Sequence, residues 1–298
     1  MYDICGVGHI TLDKVITPGS VKYMPGGTSY YFSNAIRNMP LGYLLVTSLG
    51  DGEMHTVDDL RSLGIEVNAY TSAHSVYFEN IYSDNPDHRT QRVLRKADPF
   101  STDQVKDIQA KIFHLGPLLA DDMSAGFIKD LAARGKVSLD VQGFLRTVKH
   151  LNVVLTDWPE KMETLQHIDI LKANDQEMEV ITGLTDVRAG ATLLAEWGIK
   201  EVVITLGSKG SVIYTGGLFY DIPVFVPDNI ADTTGCGDTY MAGYLSQRIL
   251  GKGPQEAGEF ASAMAALKIE TYGPFTGTPQ DVFSFMMRQP KGDEQAVL

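Results

Sequence analysis

The chain has 298 residues, of which 44% are hydrophobic and 21% charged, a balance typical of a folded globular protein rather than a disordered or fibrous one. Its net charge of −12, from 25 Lys+Arg against 37 Asp+Glu, argues against nucleic-acid partners, which require a basic surface. Its two cysteines, Cys5 and Cys236, give neither a disulfide framework nor a CxxC metal site. With no secretory n-region and no apolar run of about 18 residues, we expect a cytoplasmic protein without membrane partners.

The first hundred residues predict short strands, two helices and two excursions rich in β-branched and aromatic residues. Residues 14–25 surround the pair Pro18 and Gly19 and predict a hairpin. Residues 66–96 alternate weakly around a polar turn and predict further strands. The other elements expected here are strands over 3–10 and 44–50 and helices over 28–38 and 53–64.

From residue 112 onwards, predicted strands and helices alternate, which is the pattern of parallel βαβ units. The predicted strands are 112–118, 136–143, 170–175 and 201–207, with a hairpin over 211–223. The predicted helices are 122–135, 177–183, 187–198, the stretch after residue 238, and 255–270. We therefore predict one doubly wound α/β domain over 1–298, with a mostly parallel sheet and a small β-strand lid formed by 14–25 and 66–96.

The sharpest chemical signal is the run DTTGCGD at 232–238, directly before an amphipathic helix. Gly235 and Gly237, on either side of Cys236, allow consecutive backbone N–H groups to turn inward and form a nest of donors. A helix N-terminus behind that nest favours an anion such as a phosphoryl group. Asp238 would be repelled by such an anion, a cost that makes sense if its carboxylate accepts a proton from an attacking hydroxyl. The alternative is that Asp238 only caps the helix.

The longer string DTTGCGDTYMAG closely resembles the DTxGAGDxFxxG signature of the PfkB, or ribokinase-like, carbohydrate kinases. Other segments resemble the family in the right order along the chain. They are Asp13 after the first strand, Gly26 and Gly27 before a helix, Gly50 and Asp51, Gly116 and Pro117, Asn174 to Glu177, and Thr205 to Gly210. The resemblance implies the ribokinase-like fold, with ATP and Mg²⁺ as cofactors.

The resemblance also assigns roles at the phosphate end. It makes Asp238 the catalytic base and the backbone of Gly235, Cys236 and Gly237 an anion hole. Asn174 and Glu177 match an element that holds Mg²⁺ through its waters; a helix-capping pair is the alternative. Two further groups of residues are implied. Thr205, Gly207, Lys209 and Gly210 resemble the ATP-phosphate loop, and Asp232 and Thr234 are candidates for a monovalent cation, usually K⁺.

On the substrate side, the resemblance implies that Asp13 binds acceptor hydroxyls and that Gly26 and Gly27 let the backbone approach them. A plain turn acid is the alternative for Asp13. Family sugar kinases usually carry Asn where this chain has Tyr31, so the resemblance makes Tyr31 a candidate substrate-binding residue and a ribose-like acceptor less expected. The pattern GGxSxYxSN and the segments RVLRKADPF and LDVQGFLR resemble the inositol-kinase branch, with Asn34 and Arg146 as substrate-binding candidates. Their alternatives are a helix-surface amide and a solvated charge.

Cys236 stands where the family usually has Ala. A helix N-terminus lowers the pKa of a thiol, so we expect Cys236 to be reactive and its oxidation or alkylation to obstruct the anion hole. The alternative is an inert, packed cysteine.

The favoured function is therefore an ATP-dependent kinase that phosphorylates a hydroxyl of a small sugar or polyol, a cyclitol such as inositol being the preferred acceptor. A nucleoside kinase stays open, because aromatic residues such as Tyr30 and Tyr77 could hold a base. A catalytically silent member that binds nucleotide or sugar is the third reading. Exposed lid strands could also pair the chain into a homodimer.

Overall fold

The computed structural model describes residues 1–82 and 89–288. Within the predicted lid, the polar turn at 83–88 lies outside the described residues. The chain divides into two compact units, each with its own contacts. Unit 1 comprises Met1–Tyr30 and Gly42–Leu171, and unit 2 comprises Tyr31–Leu41 and the chain from Lys172 onwards.

Unit 1 holds eleven of the described strands, three helices and the start of a fourth. Its strands are β1 (Tyr2–Val7), β2 (Thr11–Thr17), β3 (Ser20–Gly26), β4 (Tyr43–Leu49), β5 (Glu66–Thr71), β6 (Val76–Tyr82), β7 (Arg89–Arg95), β8 (Ala110–Leu115), β9 (Lys136–Asp140), β10 (Arg146–Lys149) and β11 (Asn152–Leu155). Its helices are α1 (Thr28–Ile36), which continues into unit 2, α2 (His55–Ser62), α3 (Ala125–Ala132) and α4 (Lys161–Leu165).

The first sheet of unit 1 has the order β9-β8-β1-β4-β5, and every neighbouring pair in it is parallel. Cys5 in the central strand lies opposite Leu44 on one side and Phe113 on the other. All three are buried. Strands covered on both faces carry nearly continuous apolar runs, which is why this part of the sheet can be predicted from the sequence.

The second sheet of unit 1 has the order β10-β11-β7-β6-β2-β3. The predicted hairpin at 14–25 is formed by β2 and β3, with Asp13 opposite Met24. The predicted lid segment 66–96 needs a correction, because β5 pairs in parallel with β4 and so extends the first sheet instead. Only β6 and β7 from that segment join the second sheet, where β2 and β6 are parallel.

The hairpin of β10 and β11 is absent from the sequence prediction. Its turn is formed by His150 and Leu151, whose φ angles are 49° and 67°. Tight hairpin turns of this handedness usually contain Gly, Asn or Asp, and this one contains none of them at these positions. The usual sequence signal for such a turn is therefore missing.

Unit 2 holds the remaining strands and five helices. They are β12 (Ile170–Asn174), which begins in unit 1, α5 (Asp175–Thr182), α6 (Val187–Glu196), β13 (Glu201–Thr205), β14 (Ser211–Thr215), β15 (Leu218–Ile222), α7 (Cys236–Ile249), α8 (Pro254–Ile269) and α9 (Pro279–Arg288). The strand order is β15-β14-β13-β12, with β13, β14 and β15 antiparallel. Helices α7 and α8 pack closely, because Gly243 leaves room for the backbone of Ala261.

The predicted α/β class with a mostly parallel sheet and a smaller β-sheet is confirmed. Helix α9 and the short α4 were not predicted. None of the helices in the described parts of the chain is long and apolar enough to cross a membrane.

A partly buried ion pair between Glu201 and Arg248 joins β13 to α7 in unit 2. The carboxylate of Glu201 accepts hydrogen bonds from the Tyr244 hydroxyl at 2.7 Å and from Arg248 Nη2 at 2.9 Å. Burial and the neighbouring carboxylate raise the pKa of Tyr244 far above its ordinary value, so the hydroxyl remains a donor.

We expect Glu201→Ala to lower the free energy of unfolding by about 3 kcal/mol, because it leaves Arg248 without its buried partner. The control is Glu256→Ala, which removes an exposed pair with Lys252 at 3.3 Å and should cost about 0.5 kcal/mol or less. Denaturant unfolding of both variants measures the difference. Equal losses would contradict a structural role for the Glu201 pair.

Candidate functional site

The 232–238 turn connects an extended segment to α7. Thr234 N donates to Asp232 Oδ1 at 2.9 Å, and Cys236 N donates to Thr233 O at 3.3 Å. The first helical bond follows, from Thr239 N to Gly235 O at 2.9 Å. The backbone N–H groups in the first turn of α7 thus come before the first i→i−4 hydrogen bond of the helix. N–H groups at this end of a helix are the donors that can bind an anion.

Gly235 is required at this turn for two reasons. Its φ of +75° lies in the left-handed region, where a side chain is strained. In addition, a Cβ at Gly235 would overlap the ring of Tyr31, which is 3% exposed. Tyr31 therefore supports the turn by packing against its backbone. Its predicted contact with substrate stays a prediction.

Lys268, in α8, is the main residue here that the sequence analysis missed. Its side chain is fully buried, and its Nζ lies 2.7 Å from the carbonyl oxygen of Asp232 and 3.1 Å from Asp232 Oδ2. Burial acts to raise the pKa of Asp232, but hydrogen bonds from Thr234 and the Lys268 ammonium together hold that pKa below its ordinary value. The available signal was one lysine inside the apolar run ASAMAALKI.

The expected fall in the pKa of Cys236 is wrong. Burial raises the pKa of its thiol to about 12, and the positive charge of Lys268 opposes that rise only in part. Nearby carboxylates, including Asp238, raise it further. The desolvation of a thiolate at this helix terminus outweighs the helix dipole, so the side chain is protonated near neutral pH.

A second buried lysine lies close to the turn. Lys172, in β12, is 5% exposed, and its Nζ lies 3.1 Å from the position that a Cβ on Gly237 would take. The same Nζ is 4.0 Å from Glu177 Oε2. Gly237 therefore makes room for a cation directly behind the first turn of α7. Asp238, in that turn, is partly exposed.

Asn174 and Glu177 form a reciprocal capping pair at the start of α5. Asn174 Oδ1 accepts from Glu177 N, and Glu177 Oε2 accepts from Asn174 N, both at 2.8 Å. The capping alternative is therefore present in the structure, and a role toward Mg²⁺ stays a prediction. The donor set suits that role, because amide and carboxylate oxygens fixed by capping can orient the waters that Mg²⁺ keeps.

The segment after β13 forms a tight turn. Thr205 ends the strand, and Gly207 and Gly210 adopt φ angles of +58° and +85°. Leu206 N donates to Gly210 O at 2.8 Å, which closes the loop. Lys209 at its tip is exposed, so its ammonium is accessible from solvent.

In unit 1, the structure brings three of the predicted substrate residues together. A Cβ on Gly26 would lie 2.5 Å from Asp13 Oδ2, so the absence of a side chain at Gly26 makes room for that carboxylate. Thr11 Oγ1 donates to Asp13 Oδ1 at 2.6 Å. Gly27 has a φ of +89°, and its backbone approaches the carbonyl of His9.

The other substrate candidates lie elsewhere. Arg146, at the start of β10, lines a cavity of about 340 Å³ in unit 1 together with Lys96 and Trp158. Asn34, in the unit 2 part of α1, is 3% exposed, which rules out the helix-surface alternative. Sequence analysis did not predict a further cavity of about 300 Å³ in unit 1, lined by polar groups that include Asp51, Glu53, His74 and Arg95.

An α/β fold with a glycine turn at a helix N-terminus and buried lysines beside it is an arrangement suited to phosphoryl groups. A family model described as pfkB family carbohydrate kinase matches residues 13–281. The chain therefore belongs to the PfkB family of carbohydrate kinases, phosphotransferases that act on hydroxyl acceptors.

Individual relatives agree with that family. A cytidine kinase of Thermococcus kodakarensis is 27% identical over 290 residues, covering 93% of this chain and all of the relative. A solved pyrophosphate-dependent myo-inositol-1 kinase, converted by mutation into a myo-inositol-3 kinase, has a TM-score of 0.84 at 24% identity, covering 95% of this chain and 98% of its own. Ribokinase of Arabidopsis thaliana, complexed with ribose and ATP, has a TM-score of 0.79 at 20% identity, covering 96% and 98%.

We expect Gly235→Ala to destabilise the protein more than Gly183→Ala does. Both positions have left-handed φ angles, +75° and +74°, so both variants incur about 1–2 kcal/mol of backbone strain. Only Gly235 has a ring, that of Tyr31, in the path of the new methyl group, since Gly183 has no atom within 4 Å of that position. Thermal unfolding of the two variants measures the difference, and similar shifts would argue against support of the turn by Tyr31.

Proposed function

We propose that this chain is an ATP-dependent, Mg²⁺-requiring kinase that transfers the γ-phosphoryl group to a hydroxyl of a small polyol or sugar, with a cyclitol such as inositol preferred. The observation that carries the proposal is the partly exposed Asp238 carboxylate in the first turn of α7, directly after the left-handed turn at Gly235. A carboxylate beside donors for an anion is unfavourable for simple phosphate binding. It is suited to accepting a proton during phosphoryl transfer.

In the proposed reaction, Asp238 takes the proton of the acceptor hydroxyl as the hydroxyl oxygen attacks the γ-phosphorus of ATP. The bond from that phosphorus to the β–γ bridging oxygen breaks, and ADP is the leaving group. The backbone N–H groups of Gly235, Cys236 and Gly237 face the charge that develops on the transferred phosphoryl oxygens. Cys236 N donates a long hydrogen bond of 3.3 Å to Thr233 O, and in the proposed reaction this N–H leaves that bond and turns toward the anion. Lys172, behind Gly237, adds positive charge close to the same turn.

The donor is proposed to bind through unit 2 residues. Lys209 and the turn between Thr205 and Gly210 would contact the phosphates. Asn174 and Glu177 would orient the waters of Mg²⁺, which when bound neutralises charge on those phosphates. Between β15 and α7, Val226 and Ile230 are 51% and 77% exposed, and we propose that these apolar side chains pack against the base of a nucleotide donor, a contact that bare pyrophosphate could not make.

The acceptor is proposed to bind through unit 1 residues. The Asp13 carboxylate over Gly26 can accept hydrogen bonds from hydroxyls, which is the chemistry that a polyol requires. Arg146, also in unit 1, and Asn34, in the unit 2 part of α1, are further candidates from the inositol-kinase resemblance. We further propose that the second sheet closes over bound substrate as a lid, and that its edges can pair two chains into a dimer.

A nucleoside acceptor is the second candidate function. The full-length similarity to a cytidine kinase favours it, since that relative covers 93% of this chain. In unit 1, the half-buried ring of Tyr77 could pack against a base.

We expect Asp238→Asn to lower kcat by about a thousandfold or more while leaving ATP affinity within about threefold, because the amide keeps the shape but cannot accept the proton. The control is Asp107→Asn, an exposed aspartate before β8 in unit 1, which should leave both values unchanged. Turnover and nucleotide titration are measured on the same preparations. Turnover unaffected by Asp238→Asn would remove the base assignment and favour a silent binding protein.

We expect ADP release to be fastest with a cyclitol when ATP and Mg²⁺ are supplied with myo-inositol, other polyols, pentoses, hexoses and nucleosides in turn. Mass spectrometry of the products identifies the phosphorylated acceptor. A strong preference for cytidine or another nucleoside would replace the cyclitol proposal with the second candidate. Exchange of ATP for pyrophosphate in the same assay tests the donor, and faster turnover with pyrophosphate would contradict the ATP assignment.

A further inference from the structure

We propose that the Lys268 ammonium is a built-in cation at Asp232, so that the 232–238 turn needs no free monovalent cation. The inference rests on the proposed kinase function and concerns how the phosphate end of the site is held in place. It replaces the expectation that Asp232 and Thr234 bind K⁺. Lys268 is then a positioning residue, since it acts on the turn and not on the reacting atoms.

The oxygens of Asp232 are already occupied by donors from the chain itself. Lys268 Nζ lies 2.7 Å from the carbonyl oxygen and 3.1 Å from Oδ2. Oδ2 also accepts from Gly273 N at 3.3 Å, and Oδ1 accepts from Thr234 N at 2.9 Å. A K⁺ ion ligated by Asp232 would have to displace a buried ammonium of the same charge.

Burial makes that displacement unfavourable. The Lys268 side chain has no exposed surface, and a buried ammonium that loses its carboxylate costs several kcal/mol. An added K⁺ would leave two positive charges against the one carboxylate of Asp232. The residues present therefore do not fit a free cation at this position.

The ammonium also has a direct structural route to the anion-binding turn. Asp232 begins the turn, and its carboxylate fixes Thr234, which immediately precedes Gly235. The Lys268 Nζ lies 6.0 Å from the ring centre of Tyr31, and that ring packs against Gly235. Both ends of the turn thus depend on the position of one charge. Loss of that charge should loosen the turn, and a small external cation should restore it.

The test compares the wild-type chain and Lys268→Met in potassium, ammonium and choline chloride at equal ionic strength. For the wild type we expect kcat/KM to differ by less than about twofold between the salts. Its melting temperature should differ by less than about one degree. For Lys268→Met we expect a loss of about tenfold or more in kcat/KM in choline chloride, partly recovered in potassium or ammonium. Its melting temperature should rise in the same two salts. The control Lys252→Met removes an exposed lysine and should show no salt specificity.

Strong activation of the wild type by K⁺ would overturn the proposal, and so would a Lys268→Met variant that behaves like the wild type in every salt. If Lys268→Met fails to fold, Lys268→Arg and the wild-type salt comparison decide the question. If no acceptor gives turnover, the kinase proposal fails separately. The salt dependence of the melting temperatures then still tests the built-in cation, since that measurement requires no substrate.

Discussion

The left-handed turn at Gly235 is the constraint on which the candidate site depends. Gly235, with a φ of +75°, is the residue from which α7 begins. The backbone N–H groups that follow it come before the first i→i−4 hydrogen bond of the helix. Two side chains from other elements of unit 2 contact the turn. The ring of Tyr31 fills the space against Gly235, and Lys268 holds Asp232 from inside α8. The position of Asp238 therefore depends on Tyr31 from α1 and Lys268 from α8.

Two buried lysines lie close to the turn in a chain that is acidic overall. A net charge of −12 repels a phosphate donor at long range, especially at low salt. Close to the turn, Lys172 and Lys268 are buried where the dielectric is low, so each charge acts strongly on its immediate neighbours. Each has a carboxylate partner, Glu177 or Asp232, which makes its burial tolerable. The lysine charges are thus paired, and the backbone N–H groups at the start of α7 are the donors that the proposed kinase would offer to an anion.

The sequence predicts the features that depend on local pattern. Parallel strands carry apolar runs long enough to recognise, and the DTTGCGD string signals the turn before α7 through its glycines. Features that depend on distant contacts could not be predicted. The β10 and β11 hairpin has a turn without its usual residues, and Lys268 gains its meaning only from its contact with Asp232. The position of Cys236 at a helix N-terminus is visible in the sequence and predicts a lowered pKa. The burial that raises its pKa depends on distant contacts and is not visible there.

The most direct test of the central claim is a crystal structure with ADP, Mg²⁺, aluminium fluoride and the acceptor that the activity assay identifies. Aluminium fluoride mimics the phosphoryl group in the transition state of its transfer. We predict that it lies at the first turn of α7 and accepts hydrogen bonds from the backbone N–H groups of residues 235–237. An Asp238 carboxylate oxygen should lie within about 3 Å of the attacking hydroxyl. Aluminium fluoride bound away from α7, or an Asp238 carboxylate turned away from the acceptor, would contradict phosphoryl transfer at this turn.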